Sequence, residues 1–265
     1  DNEPETWSAV RHFGFAKDYI VLRLTGRLLT DHSDASGSDA YDLGSGTWWE
    51  EIIDAAGLPL SLFPEVVDST TVVGNLTPEA AAALGLTTAT AVVMGGGDGP
   101  TAAVGAGVVA PDDPPFVCLG TSSWISFATA APAVDKLMRV FSFRHLVPGL
   151  FVPTATMQAG GACLAWVAEV VGGAEEPLDL LVRRAAGVSA AADGLFFLPH
   201  LLGERSPYFN PQAAGAFVGL QRHHTRSHLV RAVLEGVAFN LRLCLDAFAE
   251  AGLTATTIDA IGGGA

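Results

Sequence analysis

Three short apolar runs in this chain each lead directly into a glycine-rich turn, and this feature constrains the fold more than any other. The segments are 91–100, with the turn Gly-Gly-Gly-Asp-Gly-Pro, 116–122, with Gly-Thr-Ser, and 257–265, with Gly-Gly-Gly-Ala. Apolar runs of four or five residues that end at glycine are typical of buried strands. Since glycine lets a ligand approach the backbone closely, the turns predict an α/β protein with functional loops at its strand ends.

Helix signals are clear at two places between these segments. Thr77 and Pro78 form a helix start, an N-cap followed by proline at the first helical position, and Gly85 ends that helix. Over 227–251, apolar residues recur at steps of three and four. That spacing predicts a long helix with one apolar face.

The beginning of the chain carries weaker signals. We predict a helix followed by an extended segment at 19–24, which ends at Thr25 and Gly26. Residues 31–46 are rich in Asp, Ser and Gly, so we predict a loop there.

The segment 109–115, Val-Ala-Pro-Asp-Asp-Pro-Pro, is the most linker-like part of the chain. We place a domain boundary there, which gives domains at 1–108 and 113–265. The run at 116–119 predicts a strand, and 124–128 its hairpin partner. A length of 265 residues is enough for such a division and for a sizeable core.

The acidic composition argues against some classes of function. The formal net charge is -14, which repels phosphate backbones, so we predict no nucleic-acid partner. Cys118, Cys163 and Cys244 are widely spaced without a C-x-x-C, so we predict no disulfide framework and assign no residue to a metal. Because we recognise neither a signal peptide nor an apolar stretch of about 20 residues, we expect a cytoplasmic protein with no membrane partner.

Asp98 is the first candidate for chemistry. It lies between glycines, after a predicted buried strand and before a helix whose first position we expect at Pro100. First-turn N–H groups and the helix dipole favour a charged carboxylate, which can accept a proton at neutral pH. A turn aspartate that only caps a helix has the same local sequence, so the pattern leaves both interpretations open.

The turn at 120–122 is the second candidate, since its N–H and O–H donors suit a phosphate, although an ordinary hairpin turn has the same pattern. No P-loop, H-E-x-x-H or G-x-S-x-G motif occurs. Residues 97–102 fit the dinucleotide fingerprint G-x-G-x-x-A. Two features weaken that fit: Asp98 would repel a pyrophosphate, and the strand at 116–119 ends without the expected acid.

Five motifs point in one direction when they are taken together. They are Val-Met-Gly-Gly-Gly-Asp at 93–98, Leu-Gly-Thr-Ser at 119–122, Phe-Leu-Pro-His-Leu-Leu-Gly-Glu-Arg-Ser-Pro at 197–207, Gly-Ala-Phe-Val-Gly-Leu at 215–220 and Ile-Gly-Gly-Gly-Ala at 261–265. In this combination and order, the chain resembles the FGGY family of carbohydrate kinases, most closely the xylulokinases. The likeness extends over nearly the whole chain.

The resemblance implies an actin-like (ribonuclease H-like) α/β fold of two domains around a cleft. Residues 1–108 would be the C-terminal part of the first, sugar-binding domain, and 113–265 the N-terminal part of the second, nucleotide-binding domain. Nothing in the chain matches the family's opening Asp-x-Gly-Thr phosphate loop or the part that follows the adenosine loop. We therefore expect an internal fragment in which both domains are incomplete.

The resemblance also implies roles for single residues. Asp98 would take the proton from the sugar hydroxyl as the oxygen attacks the γ-phosphorus. The other implied positions are Gly120 and Thr121 at the phosphates, Gly161 and Gly264 at the border of the nucleotide, and Gly99 and Trp124, with Asp98, at the substrate. Gly99 stands where xylulokinases usually have asparagine.

The implied activity is ATP-dependent phosphorylation, with conversion of D-xylulose to D-xylulose 5-phosphate as the first expectation. MgATP and a small sugar are the implied partners, and a homodimer is one assembly that we consider. Gluconate, ribulose and glycerol are alternative substrates. A non-catalytic actin-like nucleotide-binding protein and a dinucleotide-dependent oxidoreductase are alternatives from other classes.

Overall fold

A computed structural model describes residues 2–172 and 177–265 of the chain. Its contacts divide the chain into two compact units. The first comprises Asp1–Pro111, Ala128–Pro132 and Ser142–Val152, and the second comprises Asp112–Phe127, Ala133–Phe141 and Pro153–Ala265.

Helices and strands alternate along much of the chain. The helices are α1 (Pro4–Ala9), α2 (Ala16–Thr25), α3 (His32–Ala35), α4 (Glu50–Ala55), α5 (Pro78–Leu84), α6 (Asp98–Gly105), α7 (Gly161–Val167), α8 (Leu178–Ala185) and α9 (Arg226–Glu250). The strands are β1 (Leu29–Asp31), β2 (Tyr41–Asp42), β3 (Thr47–Trp48), β4 (Glu65–Val67), β5 (Val72–Asn75), β6 (Ala91–Val93), β7 (Phe116–Leu119), β8 (Ser123–Ser126), β9 (Phe141–Arg144), β10 (Phe151–Met157), β11 (Phe196–Leu198), β12 (Ala216–Val218) and β13 (Asp259–Ile261).

Helix α2 occupies the segment that we predicted as extended, so the prediction for 19–24 is wrong. Its first turn is closed by the Asp18 carboxylate, which accepts a hydrogen bond of 2.9 Å from the Phe15 N–H. Gly26 ends it in the left-handed conformation, at a φ of 76°. These two terminal signals outweigh the local preference of the apolar run between them, because satisfied end groups stabilise a helix that propensity alone would not.

The core of the first unit lies between α2 and short paired strands. β1 pairs with β4 in parallel, and β5 pairs with β6 antiparallel. The buried side chains that join these elements are Val21, Leu29, Val73, Leu76, Ala81, Val92 and Met94. Helix α5 begins at Pro78 and ends at Gly85 as predicted, with the Thr77 hydroxyl accepting from the Ala80 N–H. β6 therefore enters the glycine-rich turn from a fixed core.

In the second unit, strands β13, β7, β8 and β10 lie side by side in that order. β7 and β8 form the predicted antiparallel hairpin, and β13 pairs with β7 in parallel. Parallel pairing brings the carboxyl ends of β7 and β13 to the same edge of the sheet, so their glycine turns are neighbours.

Helix α9 forms as predicted and buries one face within the second unit. Cys244 and Phe248 pack with Ile125 of β8, while Val230 and Val233 belong to a second cluster with Phe197 of β11. No helix in the described residues is both long and apolar enough to cross a membrane.

We predict that Gly236→Ala destabilises the protein, although alanine normally favours a helix over glycine by about 0.5–1 kcal/mol. A Cβ atom at Gly236 would collide with the Phe197 carbonyl oxygen, and overpacking costs about 1–3 kcal/mol. Gly105→Ala, at the end of α6, is the matched control, because no atom lies within 4 Å of its added Cβ. In urea denaturation, the first variant should unfold at lower concentration than the parent and the second should not. Equal midpoints for the two variants would contradict this packing.

Candidate active site

The Asp98 carboxylate lies at the start of α6, directly after the glycine-rich turn that follows β6. Gly95 turns the chain at a φ of 72° while its N–H donates to the Ser69 carbonyl oxygen at 2.9 Å. The helix begins at Asp98 itself, so the expected start near Pro100 is wrong. Gly97 is the N-cap of the helix, and its carbonyl oxygen accepts from the Thr101 N–H at 2.9 Å. Asp98 and Gly99, the two residues before Pro100, therefore belong to the first turn.

Asp98 borders an open cavity of about 760 Å³ in the first unit. This volume is in the range of small-molecule sites. The Asp98 side chain is exposed, and its Oδ1 accepts from the Gly99 N–H at 2.8 Å. A Cβ atom at Gly99 would have no atom within 4 Å, so that position is open. The residues that line the cavity are Phe15, Ala16, Lys17, Asp34, Gly96, Gly97, Asp98, Thr101 and Ala102.

Lys17 forms ion pairs with three carboxylates at the wall of this cavity. Its Nζ lies 2.9 Å from Asp18, 3.1 Å from Asp31 and 3.4 Å from Asp34, and the side chains of Asp18 and Asp31 are inaccessible to water. Burial disfavours the charge of Lys17, but the hydrogen bond that its ammonium donates to Asp18 and the charges of Asp31 and Asp18 raise its pKa above the usual value. For Asp34, burial raises the pKa of the carboxyl group, and the positive charge of Lys17 offsets this rise only in part.

Sequence reasoning missed this ion-pair cluster. We predicted a loop over 31–46, whereas α3 forms there because the Asp31 side chain caps it by accepting from the Ser33 and Asp34 N–H groups. An aspartate followed by a serine and an aspartate two and three residues later is an N-cap signal that could have located this helix. The sequence around Lys17 gave no sign that its side chain pairs with Asp31.

In the second unit, three separate turns meet at the end of β7. The Gly161 N–H donates to the Gly120 carbonyl oxygen at 2.8 Å, and the Gly160 N–H donates to that of Thr121 at 2.9 Å. The Gly264 N–H donates to the Leu119 carbonyl oxygen at 3.0 Å. The four predicted nucleotide-site residues are thereby brought together around one strand end.

The structure supplies a reason for glycine at two of these positions. A Cβ atom at Gly161 would approach the Gly120 carbonyl oxygen to 2.7 Å, and one at Gly264 would lie 3.1 Å from the Leu119 Cβ. Both glycines therefore allow close contact between backbone segments of the protein itself. Their role at a nucleotide stays a prediction.

The buried carboxylate of Glu204 holds the segment that leads to Gly160 and Gly161. It is 3% exposed, and its Oε1 accepts from the N–H groups of Gln158 at 2.7 Å and Arg205 at 2.9 Å. Its Oε2 accepts from the Asn240 amide at 3.2 Å and lies 3.1 Å from His200 Nδ1. Gln158 starts the segment that leads from β10 to α7, so Glu204 anchors the approach to Gly160 and Gly161.

Trp124 lies within β8, opposite Cys118 of β7 and Thr156 of β10. Its indole N–H is buried and has no hydrogen-bond partner among the described residues. A buried donor without an acceptor is uncommon in folded proteins. Trp124 belongs to the second unit, whereas Asp98 and Gly99 belong to the first.

Two family descriptions match the chain. Residues 1–105 match the N-terminal domain of the FGGY family of carbohydrate kinases, and residues 116–265 match its C-terminal domain. The chain belongs to this FGGY family. The resemblance read from the motifs is thereby confirmed. Asp98 lies in the segment that matches the N-terminal domain, and the turns at the end of β7 lie in the segment that matches the C-terminal domain.

The similar curated proteins include xylulose kinases. That of Lactococcus lactis subsp. lactis (strain IL1403) is 36% identical over 242 residues, which cover 91% of this chain and 48% of the relative. That of Escherichia coli (strain K12) is 36% identical over 265 residues, which cover 100% of this chain and 54% of the relative. The chain spans about half the length of these relatives.

Solved FGGY structures have the same fold. A ligand-bound xylulose kinase from Lactobacillus acidophilus matches with a TM-score of 0.92 and 28% identity over 99% of this chain and 53% of that chain. A gluconate kinase from Lactobacillus acidophilus matches with the same TM-score, identity and coverage. The expected actin-like α/β sugar kinase fold is therefore confirmed.

Glycines of the FGGY signature at 215–220 serve packing. Gly219 has a φ of 87°, and a Cβ atom there would collide with the Gly194 carbonyl oxygen. A Cβ atom at Gly215 would lie 2.6 Å from the Leu201 side chain. These glycines allow the chain on either side of β12, which pairs with β11, to pack closely against Leu201 and Gly194.

We predict that Lys17→Met lowers the free energy of unfolding by about 3 kcal/mol or more, because removing one partner leaves buried carboxylates uncompensated. Arg183→Met is the matched control. It removes the positive charge from an exposed ion pair with Asp179, and such pairs contribute about 0–1 kcal/mol to stability. Denaturant unfolding followed by circular dichroism compares the two variants. A loss in Lys17→Met no larger than in the control would argue that the cluster contributes little.

Proposed function

We propose that this protein transfers the γ-phosphoryl group of ATP to a hydroxyl of a small sugar or polyol, with Asp98 as the general base. The observation that carries the proposal is the exposed Asp98 carboxylate at a helix start, among the residues that line an open cavity of small-molecule size. Membership of a carbohydrate kinase family supplies the reaction class.

The proposed reaction is a displacement at the γ-phosphorus. The substrate hydroxyl donates its proton to the Asp98 carboxylate while its oxygen bonds to phosphorus. The bond between that phosphorus and the β-phosphate oxygen breaks, and ADP leaves with the electron pair. Since the transferring group needs positioning and charge stabilisation more than covalent help, one carboxylate base is a sufficient protein contribution to the proton transfer.

We assign the nucleotide to the turns at the end of β7. Thr121 is exposed, and its hydroxyl and the backbone at Gly120 suit phosphate oxygens. Gly161 and Gly264 hold their own turns against the end of β7 through hydrogen bonds to Gly120 and Leu119. Among residues 2–172 and 177–265, no group of three or more His, Cys, Asp or Glu side chains is arranged to hold a metal. We propose that Mg²⁺ binds together with ATP, since it binds proteins through few carboxylates together with substrate phosphates.

D-Xylulose is the first substrate that we propose, because both curated relatives described above are named xylulose kinases. Gluconate is the second, because the gluconate kinase structure matches as well as the xylulose kinase structure does. The open position at Gly99, next to Asp98, is where a difference in substrate would be accommodated.

The decisive experiment is a coupled ADP-release assay of the protein as its gene encodes it. Pentuloses, polyols and gluconate are tested in turn with MgATP. D-Xylulose should give the highest kcat/KM, and ADP release with none of these acceptors would reject the proposal. A sizing column run on the same preparation tests whether the protein forms a homodimer, the assembly that we consider.

Asp98→Asn should lower turnover by about 100-fold or more, because the variant lacks the base, while nucleotide binding stays within a few-fold. Glu79→Gln is the matched control, since Glu79 is also an exposed acid in the first turn of a helix. It should retain full turnover. Assays of kcat and of ATP binding on both variants decide the point, and near-normal turnover of Asp98→Asn would remove the assigned role.

Gly161→Ala should raise the KM for ATP by about 10-fold while the KM for sugar changes little, because the added Cβ pushes on the Gly120 carbonyl and displaces the phosphate turn. Gly187→Ala, in the same unit, is the control. Its added Cβ would meet only the Arg184 carbonyl oxygen, at 3.4 Å. Steady-state kinetics with each substrate varied in turn measures both constants. An equal rise in both would indicate general damage instead of a nucleotide site.

A further inference from the structure

The buried Asp31 carboxylate organises a set of hydrogen bonds behind the Asp98 turn. Its Oδ2 accepts from the Ser33 N–H at 2.9 Å, from the Ser33 hydroxyl at 2.5 Å and from the Ser69 hydroxyl at 2.7 Å. Its Oδ1 lies 3.1 Å from Lys17 Nζ. Asp31 is 0% exposed, Ser33 2% and Ser69 5%, so water does not compete for these bonds.

The Ser33 hydroxyl connects the Asp31 carboxylate to the turn that precedes Asp98. A serine hydroxyl has one proton and two lone pairs. Because that proton is donated to Asp31, the oxygen is oriented to accept from the Gly97 N–H, at a distance of 2.8 Å. Gly97 is the N-cap of α6, and the next residue is Asp98.

The turn also fits closely against its neighbours. A Cβ atom at Gly96 would lie 2.9 Å from Ser33 Oγ and 2.7 Å from the Leu146 side chain. One at Gly97 would lie 2.8 Å from Asp34 Oδ1. The glycines at 96 and 97 therefore bring the backbone into direct contact with α3, and the Ser33 hydroxyl is the side-chain acceptor at the centre of that contact.

We infer that Ser33 is a positioning residue that fixes the direction in which Asp98 leaves the turn, with Asp31 and Lys17 holding its hydroxyl in place. The inference rests on the proposed role of Asp98 as the base. Displacement of a reacting group by about 1 Å can lower a rate by up to about 100-fold, so one hydrogen bond at the preceding residue is enough to matter.

Ser69 offers a control inside the same network. Ser33→Ala and Ser69→Ala each delete a buried hydroxyl that donates to Asp31 Oδ2, and the two are expected to lower the melting temperature to a similar extent. Of these two serines, Ser33 hydrogen-bonds to the turn through its side chain, whereas Ser69 does so through its backbone carbonyl, which alanine retains. Stability and positioning are thereby separated.

In the protein as its gene encodes it, Ser33→Ala should lower kcat by about 10-fold with an unchanged KM for ATP, and Ser69→Ala by less than about 3-fold. Amide hydrogen exchange over 94–99 should be faster in Ser33→Ala than in the parent and unchanged in Ser69→Ala. Equal kcat values for the two variants, or unchanged exchange over 94–99 in Ser33→Ala, would overturn the inference.

Ser33→Cys decides the question if Ser33→Ala does not fold. A thiol nearly keeps the volume of the side chain but accepts hydrogen bonds weakly, so kcat should fall and exchange over 94–99 should rise in this variant too. Parent-like values of both would overturn the inference. Asp98→Asn keeps the two proposals apart: if it leaves turnover intact, the base assignment fails, whereas the exchange comparison still decides whether Ser33 holds the turn.

Discussion

The compensation of one buried charge, that of Asp31, is the constraint on which the site of the first unit depends. A carboxylate without access to water is costly unless charges and donors surround it. Lys17 and the hydroxyls of Ser33 and Ser69 supply them, and they come from three different segments. Those segments therefore have to assemble together, and the turn that carries Asp98 is seated on the result through Gly97.

In the second unit, backbone hydrogen bonds rather than buried charges hold distant segments together. The carbonyl oxygens of Leu119, Gly120 and Thr121 at the end of β7 accept from glycine N–H groups of two distant turns. Any side chain at Gly161 would force those segments apart. Glu204 then fixes the approach to this point by accepting from Gln158. Hydrogen-bonded backbone segments, rather than long side chains, therefore meet at the end of β7.

Local sequence signals succeeded where both ends of an element are marked. Helix α5 has its N-cap, its proline and its C-cap glycine within ten residues, and α9 has a long apolar face. At 19–24 the apolar run alone favours a strand, whereas the capping by Asp18 before it and Gly26 after it indicate a helix. The helix start near Asp98 was misplaced by two residues, because Pro100 is also accepted in the first turn and Gly97 caps the helix.

The sequence by itself determined helices α5 and α9, the hairpin of β7 and β8, the family, and the candidacy of Asp98 and of the glycine turns. Those conclusions rest on residues that lie within a few positions of one another, where spacing and chemistry are visible together. Only the tertiary structure decided that Lys17 faces Asp31, that Ser33 accepts from Gly97, and that Gly161 rests on Gly120. The Ser69–Asp31 and Gly97–Ser33 hydrogen bonds join residues 38 and 64 positions apart. Pairings over such distances leave no local pattern, because each partner is chosen by the shape and charge of the folded interior.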